Sequence, residues 1–162
     1  MSENVNKPSS ILNARNVTYV AVIVAILVSS YLSYLKVSNE HAVCIVGEIF
    51  DCGTVLNSIY SEYQGIPIAW MGLTVNIIVI ITLLLEPRIA IVGEFAVPFL
   101  FGLLLAAFVI SVYLVYLQAF VIGAFCPWCL SHEALVTVMF IAASQRVWVW
   151  FSGGEEEEVE SA

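Results

Sequence analysis

The chain has 162 residues, of which 61% are hydrophobic and 11% are charged, and its formal net charge is −8. Soluble globular domains contain about 45–50% apolar and about 25% charged residues, so this composition excludes a soluble protein and indicates an integral membrane protein. Much of the negative charge lies in one acidic run, residues 155–160, and the rest of the chain has no basic patch. The composition therefore argues against a nucleic-acid partner, which would require clustered lysine or arginine.

Several apolar runs are long enough to cross a bilayer, which takes about 20 residues of helix. They predict four transmembrane helices, over residues 17–35, 67–85, 95–120 and 127–149. The predicted fold class is all-α integral membrane, with a four-transmembrane-helix bundle over residues 16–151. A cytoplasmic N-terminal segment (1–15) precedes the bundle, and a turn is expected over residues 89–94. The acidic tail, residues 152–162, has no core-forming side chains and is predicted to be a disordered cytoplasmic tail.

The one long polar segment is the loop over residues 36–66, between the first two predicted spans. Residues 54–63 in this loop are predicted to form a short amphipathic half-helix on the outer face, capped by Thr54 or Gly53. Its apolar side would consist of Val55, Leu56 and Ile59. The loop therefore combines a polar composition with one surface that can lie against the bundle.

The basic residues are distributed unequally between the two sides of the predicted bundle. One side carries Lys7, Arg15, Arg88 and Arg146, and the other carries only Lys36. Cytoplasmic loops are enriched in lysine and arginine, so we expect a multi-pass protein of the cell membrane with both termini in the cytoplasm. The extracytoplasmic face then holds all four cysteines: Cys44, Cys52, Cys126 and Cys129. On that oxidising side disulfides form and persist.

Cys126-Pro127-Trp128-Cys129 lies where the fourth predicted span begins. Proline is favoured at the first position of a helix, which would place Cys126 at the helix N-terminus. There the helix dipole favours a thiolate, as thiol–disulfide exchange requires. The motif by itself also fits a structural disulfide or half of a zinc site, so the rest of the chain must decide between these functions.

Four cysteines allow three disulfide pairings, and their spacing favours Cys44–Cys52 in the loop and Cys126–Cys129 at the helix. A mixed disulfide between loop and helix would then be the exchange intermediate of a relay. Two alternatives stay open: an inert protein stapled by disulfides, and a metal-handling protein whose cysteines bind zinc. Against zinc, seven residues separate the loop cysteines, whereas zinc knuckles are tighter.

A relay needs an electron acceptor, and an apolar bundle with almost no internal charge is a suitable pocket for a lipid-soluble quinone. Because Cys129 lies one turn inside the helix, we expect it to face this acceptor. Cys126 would then be the sulfur that the loop attacks. We expect Cys52, rather than Cys44, to meet a partner protein first, because a shorter tether joins Cys44 to the first span.

Several motifs together resemble the vitamin K epoxide reductase (VKOR) family, and its microbial branch in particular. They are Cys44-x7-Cys52, Val55-Leu56-Asn57-Ser58, Gly65-Ile66-Pro67 and Cys126-Pro127-Trp128-Cys129. The resemblance covers residues 15–150. It implies a four-helix bundle around a quinone of the menaquinone, ubiquinone or vitamin K type, closed from outside by the half-helix.

The resemblance also implies a function. Cys44 and Cys52 would carry electrons from a thioredoxin-like, DsbA-like partner to Cys126 and Cys129, supporting disulfide formation in exported proteins. Since the chain stops at its acidic tail, we expect this partner to be a separate protein. Glu133 stands where the human-type pattern has a tyrosine, which argues against epoxide chemistry. A DsbB-like oxidase is less similar, because it usually carries its Cys-x-x-Cys pair in the first outer loop.

The expected quinone-binding residues combine polar groups with apolar walls: Ser58, Met71, Asn76, Leu114, Phe125 and Cys129. For Asn76 the competing interpretation is a hydrogen bond between helices. His132 and Glu133 are ionisable residues inside a span, where such residues mark functional sites, or else a helix-end pair near water. Weaker candidates are Tyr113, Tyr116 and Gln118 in the third span, and His41 and Asp51 beside the loop cysteines. No metal site is expected.

Overall fold

The computed structural model describes residues 7–38, 50–88 and 90–160 of the chain. In this part of the chain there are five α-helices, with a short hairpin between the second and the third. The helices are α1 Lys7–Ser38, α2 Cys52–Leu56, α3 Ile68–Leu85, α4 Ala90–Tyr116 and α5 Pro127–Glu160. A 3-10 turn covers Ile59–Ser61, the hairpin consists of β1 Glu62–Tyr63 and β2 Ile66–Pro67, and a π-helical segment, Leu117–Ile122, continues α4.

Four of the described helices are long and apolar enough to cross a membrane. The candidate spans are Asn13–Ser38, Ile68–Leu85, Phe95–Ile122 and Pro127–Ser152. They agree with the four apolar runs in the sequence, although the first and the last extend further than predicted. The predicted all-α, four-transmembrane-helix bundle is therefore confirmed.

The start of α4 differs from the prediction. A turn was expected over residues 89–94, but the chain is helical from Ala90, and Pro98 lies inside α4. A glycine costs a helix only about 1 kcal/mol relative to alanine. Gly93 therefore does not stop a helix that long apolar runs continue, and the predicted turn is wrong from Ala90 onwards.

The end of α5 also lies beyond the predicted span. The helix continues through the acidic run to Glu160, whereas the sequence predicted a disordered tail from residue 152. Glutamate is among the better helix-forming residues, so its run does not interrupt the helix that precedes it. Only the last two residues of the predicted tail lie outside the described part of the chain.

Helix α1 packs against α3 and α5, and α4 packs against α3 and α5. The centre of the bundle is apolar, and the residues with the least exposure there are Val22, Ala25, Val79, Leu83, Leu104 and Met139. Small residues such as Ala25 let transmembrane helices approach closely. Phe140 stacks on Phe108 with ring centroids 4.8 Å apart, which joins α5 to α4. This packing fixes the positions of the helix ends relative to one another.

One end of the bundle, here called the arginine end, is defined by Arg146 of α5 and Glu86, the residue that follows α3. Their side chains form a hydrogen-bonded ion pair, and Arg146 is only 6% exposed. Nearby, the Tyr19 hydroxyl donates a hydrogen bond of 2.6 Å to the Leu83 carbonyl. These polar contacts tie α1, α3 and α5 together at this end.

The loop at the opposite end carries a short helix, as predicted, but not over the predicted residues 54–63. Helix α2 starts two residues earlier and ends at Leu56, and its cap is Asp51 rather than Thr54 or Gly53. The Asp51 carboxylate accepts from the Thr54 backbone N–H at 3.0 Å and from its hydroxyl at 2.6 Å. These two bonds, the hydroxyl one first, hold the pKa of Asp51 below its usual value.

The predicted half-helix ends early because the chain turns back on itself. Gln64 and Gly65 both have positive φ, 53° and 81°, and form the two-residue turn between β1 and β2. Positive φ at both central residues is typical of the tight turns that favour hairpins. Val55 is buried while Ile59 is 84% exposed, so the predicted apolar side is not one surface.

Candidate functional site

Cys126 caps the N-terminus of α5. Pro127 is the first helical residue, as predicted, and the Cys129 backbone N–H donates to the Cys126 sulfur at 3.3 Å. A cap side chain that accepts from the third helical N–H satisfies one of the unpaired donors at a helix start. Cys126 is fully buried, and both Cys126 and Cys129 carry free thiols.

The environment of Cys126 favours its thiolate. The pKa of Cys126 lies below the ordinary thiol value, first because of its hydrogen bond with the Cys129 side chain, and also because of the backbone N–H groups of Cys129 and Trp128. Burial acts in the opposite direction. A thiolate is the nucleophile in thiol–disulfide exchange, so this cysteine is suited to that chemistry.

Gln118 in the π-helical segment positions the backbone of Cys126. Its side-chain oxygen accepts the Cys126 backbone N–H at 2.9 Å, and Gln118 itself is buried. The segment ends at Gly123, whose φ of 72° lets the chain turn toward α5. Gln118 was only a weak candidate from the sequence, because its role depends on a contact eight residues along the chain. Tyr113 and Tyr116, its companions in that group, are exposed.

The loop is attached to the start of α5 through its backbone. The Asp51 N–H donates to the Phe125 carbonyl at 3.1 Å, and Phe50 and Phe125 form a parallel bridge. This attachment places Cys52 in the same buried cluster as Cys126, together with Val28, Leu32, Val55 and Ala124. We call this part of the molecule, with Cys52, Cys126 and Cys129, the cysteine end.

Cys52 is disulfide-bonded and only 2% exposed. In this structure Cys52 lies inside the buried cluster that contains Cys126, and little of its side chain can be reached from outside. This burial does not favour the expectation that Cys52 meets a partner protein first. The attachment of the loop to Phe125, which the sequence does not reveal, is the physical reason. Cys44 and His41 lie outside the described residues.

The predicted quinone-binding residues have different surroundings. Asn76 is almost completely buried and faces α5, and Ser58 is half-buried, with its hydroxyl bonded to the Val55 carbonyl at 2.8 Å. Phe125, Leu114 and Cys129 are half-buried, whereas Met71 is exposed. The small cavity that Thr18, Leu104 and Arg146 help to line belongs to the arginine end and does not involve these residues.

The structure brings together Asn76 and His132, which were independent candidates in the sequence. The Asn76 side-chain nitrogen lies 3.0 Å from His132 Nε2 and 3.4 Å from the Ser29 hydroxyl. Ser29 and Gly72, which faces the His132 ring, were both missed by the sequence analysis. Gly72 could have been found, because it lies one helical turn before Asn76 on the same face.

Comparison with known proteins identifies a family and a relative. The model of the vitamin K epoxide reductase family matches residues 16–144. Thiol-disulfide oxidoreductase LTO1 of Arabidopsis thaliana is 31% identical over 130 residues, which cover 74% of this chain and 33% of the plant protein. The chain thus spans about a third of the length of this relative. The family match includes the second and third candidate spans, most of the first and the fourth, and both the loop and the helical cysteines, and the chain therefore belongs to the vitamin K epoxide reductase family.

Proposed function

We propose that this chain is a membrane thiol–disulfide oxidoreductase that carries electrons from a thioredoxin-like protein to a quinone. Cys44 and Cys52 would receive the electrons, and Cys126 and Cys129 would pass them on. The observation that carries the proposal is the shared buried cluster of Cys52, a disulfide-bonded cysteine, and Cys126, a free thiol with a lowered pKa. A disulfide and a thiol in one cluster are the two reactants of an exchange.

In the proposed exchange, the partner first reduces the loop disulfide. The Cys52 thiolate then attacks the Cys126 sulfur, the Cys126–Cys129 bond breaks, and Cys129 takes the electron pair. Attack by Cys44 on the mixed disulfide restores the loop disulfide and leaves two thiols at the helix. An oxidised Cys52 beside reduced Cys126 and Cys129 is the distribution expected after this exchange.

A quinone, when bound, accepts two electrons and two protons, which is what the helical pair gives up when its disulfide forms again. The residues here fit such a group, because the cysteine end contains buried polar atoms inside an apolar wall. Asn76 offers an amide, and one oxygen of the buried Glu133 carboxylate has no hydrogen-bond partner. The proposed contacts are Ser58, Met71, Asn76, Leu114, Phe125 and Cys129.

The proposed location follows from the distribution of basic residues. With both termini in the cytoplasm, the cysteine end faces the extracytoplasmic side, where a DsbA-like protein would be reoxidised and exported proteins would gain disulfides. The plant relative is named a thiol-disulfide oxidoreductase, which supports the same class of chemistry here.

The test uses purified chain, a reduced thioredoxin-like protein of the DsbA type and a quinone, with quinol formation followed by absorbance. We expect the unmodified chain to form quinol and a Cys129→Ala variant to form none, because the electron pair then has no exit. Ser131→Ala, which removes an exposed hydroxyl two residues further along α5, is the matched control and should turn over normally.

Two results would contradict the proposal. If Cys129→Ala turns over as fast as the unmodified chain, the helical pair does not deliver the electrons. If thiol trapping finds all four cysteines oxidised after addition of reduced partner without quinone, the cysteines are inert. The alternative of a protein stapled by inert disulfides would then hold.

A further inference from the structure

Lys36, in the last turn of α1, is bonded to the loop that carries Cys52. Its ammonium group has three N–H donors. Three acceptors in the loop lie within reach of it: the Leu56 carbonyl at 2.8 Å, the Ser61 hydroxyl at 3.1 Å and the Glu62 carboxylate at 3.1 Å. The Lys36 side chain is only 17% exposed, and lysine is seldom buried unless it is paired. Lys36 therefore joins the first span to the loop.

The shortest of these bonds holds the end of α2. Leu56 is the last residue of α2, and the carbonyls of a last helical turn have no partner within their own helix. A lysine side chain can donate to such a carbonyl, as Lys36 does here. The Leu56 side chain packs against the buried cluster that contains Cys52 and Cys126. The bond from α1 thus fixes the end of the short helix whose first residue is Cys52.

The start of α2 has an attachment of its own, to a different span. The Asp51 N–H donates to the Phe125 carbonyl at 3.1 Å, just before α5 begins. Lys36 belongs to α1, and α1 packs against α5. A segment held at one end can rotate about that attachment, whereas attachments at both ends fix its direction. Together the two attachments therefore fix where Cys52 lies relative to Cys126.

The segment that follows α2 adds little further support. The side chains of Ile59 and Tyr63 are mostly exposed, and the two hairpin strands have two residues each. A two-stranded hairpin is at best marginally stable by itself. The Ser61 hydroxyl donates to the Ser58 carbonyl at 2.8 Å while it accepts from Lys36. Lys36 therefore holds the turn after α2 as well as the end of α2.

We propose that Lys36 is a positioning residue, which holds α2 against the bundle and so keeps Cys52 within reach of Cys126. The proposal rests on the proposed function, because it concerns the exchange between the loop and the helical pair. In that step the Cys52 thiolate forms a bond to the Cys126 sulfur, the Cys126–Cys129 bond breaks, and Cys129 leaves as a thiolate. Lys36 contributes no proton and no electron to this step. It raises the effective concentration of one sulfur at the other, because a tether held in the reacting geometry makes the encounter more frequent.

The test measures this effective concentration without a partner protein or a quinone. A full-length chain with Cys44→Ser and Cys129→Ser keeps two cysteines. These, Cys52 and Cys126, are then either two thiols or one disulfide. The chain is equilibrated in detergent micelles with buffers of reduced and oxidised glutathione, and thiol trapping quantifies the disulfide. Lys36→Met keeps most of the side-chain length but removes all three donors, and it should lower the effective concentration by about tenfold.

Two control variants of the same two-cysteine chain separate positioning from other effects of the substitution. Lys36→Arg keeps a cation that can donate to the same acceptors, and its effective concentration should stay within about threefold of the parent value. Arg88→Met removes an exposed positive charge two residues beyond Glu86 and should leave the value unchanged. Unfolding in mixed micelles should give nearly the same stability for Lys36→Met and its parent, because the apolar centre of the bundle is untouched.

Four results would each overturn the proposal. The first is an unchanged effective concentration in Lys36→Met, and the second is an equal loss in Arg88→Met. The third is a loss in Lys36→Arg as large as that in Lys36→Met, because a cation able to make the same bonds should preserve the position of α2. The fourth is a Lys36→Met chain that fails to fold or loses the stability of the bundle, because Lys36 would then be structural.

The outcome stays distinct from that of the proposed function. Quinol formation by the unmodified chain tests the function, whereas the glutathione equilibrium involves neither quinone nor partner protein. If the unmodified chain forms no quinol but Lys36→Met lowers the effective concentration, the function fails and the positioning role stands. If the unmodified chain forms quinol and Lys36→Met leaves the effective concentration unchanged, only the positioning role fails.

Discussion

The two ends of the bundle each bury a carboxylate beside a nitrogen base, with opposite consequences. At the arginine end, Glu86 is hydrogen-bonded to Arg146, which comes from a different helix. At the cysteine end, Glu133 lies 3.8 Å from His132, its neighbour in the same helix, and one carboxylate oxygen is left unpaired. One oxygen of Glu86 is unpaired as well, so the two ends differ in what the pair connects: the first arrangement joins two helices, whereas the second joins none.

The choice of base explains why the two ends differ. Arginine stays protonated at any physiological pH and binds carboxylates through several donors. A neutral histidine offers a carboxylate at most one N–H donor, and a neighbour in the same helix cannot join two segments. The buried ion pair with arginine therefore serves the packing of the helices, while the pair with histidine does not. Substitutions at the two ends should accordingly affect different properties.

The largest effect on stability is expected from Arg146→Met. The substitution leaves Glu86 buried without its partner, and breaking a buried pair in this way costs about 3–5 kcal/mol of unfolding free energy. Unfolding in mixed micelles with a denaturing detergent would measure the loss. Alkylation of Cys126 in the folded protein should be unchanged, because the cysteine end does not contact this pair.

The double variant Arg146→Met/Glu86→Leu is the control for this experiment. Replacing both charges by apolar side chains is often neutral or stabilising, so much of the lost stability should return. If Arg146→Met alone costs less than about 1 kcal/mol, the pair behaves like an exposed ion pair and the contrast between the two ends is wrong.

A smaller effect, at the cysteine end, is expected from Gln118→Leu. The Cys126 backbone N–H then loses its acceptor in a buried place, which costs about 1–3 kcal/mol. Because this bond holds the start of α5, quinol formation should also slow, unlike in the arginine-end variants. Both quantities can be measured on the same preparation, by unfolding in mixed micelles and by quinol absorbance.

Gln145→Leu is the matched control, since it makes the same substitution on an exposed face of α5. It should leave stability and turnover close to those of the unmodified chain. Equal losses in the two variants would mean that the effect of Gln118→Leu comes from the leucine and not from the hydrogen bond to Cys126.

The smallest effect is expected from Gly72→Val. A Cβ at Gly72 would lie 3.4 Å from His132 Cε1, so the additional methyl groups of valine would shift the imidazole away from Asn76. We expect a several-fold loss of quinol formation, measured by absorbance, with the fold intact. Gly102→Val has the same cost in helix propensity, but nothing lies within 4 Å of its Cβ position. If both variants lose activity equally, the position of His132 does not matter.

Much of the cysteine end could be predicted from sequence, but its contacts could not. Pro127 after Cys126 correctly predicted a cysteine at a helix start, because proline is suited to the first helical position. Gln118 was a weak candidate, and Asn76 was expected either to bind a quinone or to form a hydrogen bond between helices. Their actual partners, Cys126 for Gln118 and His132 for Asn76, lie in other segments and could not be named. The burial of Cys52 beside Cys126 could not be predicted, because the backbone attachment of the loop to Phe125 leaves no local signal.

The sequence by itself determined the membrane class, the four apolar spans and the position of the Cys-x-x-Cys pair, because hydrophobic length and proline preference act within one segment of chain. Only the tertiary structure decided which residues the ends of those spans bring together. The pairing of Arg146 with Glu86, the cluster of Cys52 with Cys126 and the contacts of Asn76 with Ser29 and His132 all join segments distant in sequence. They depend on how the helices pack, and local propensity carries no information about that packing.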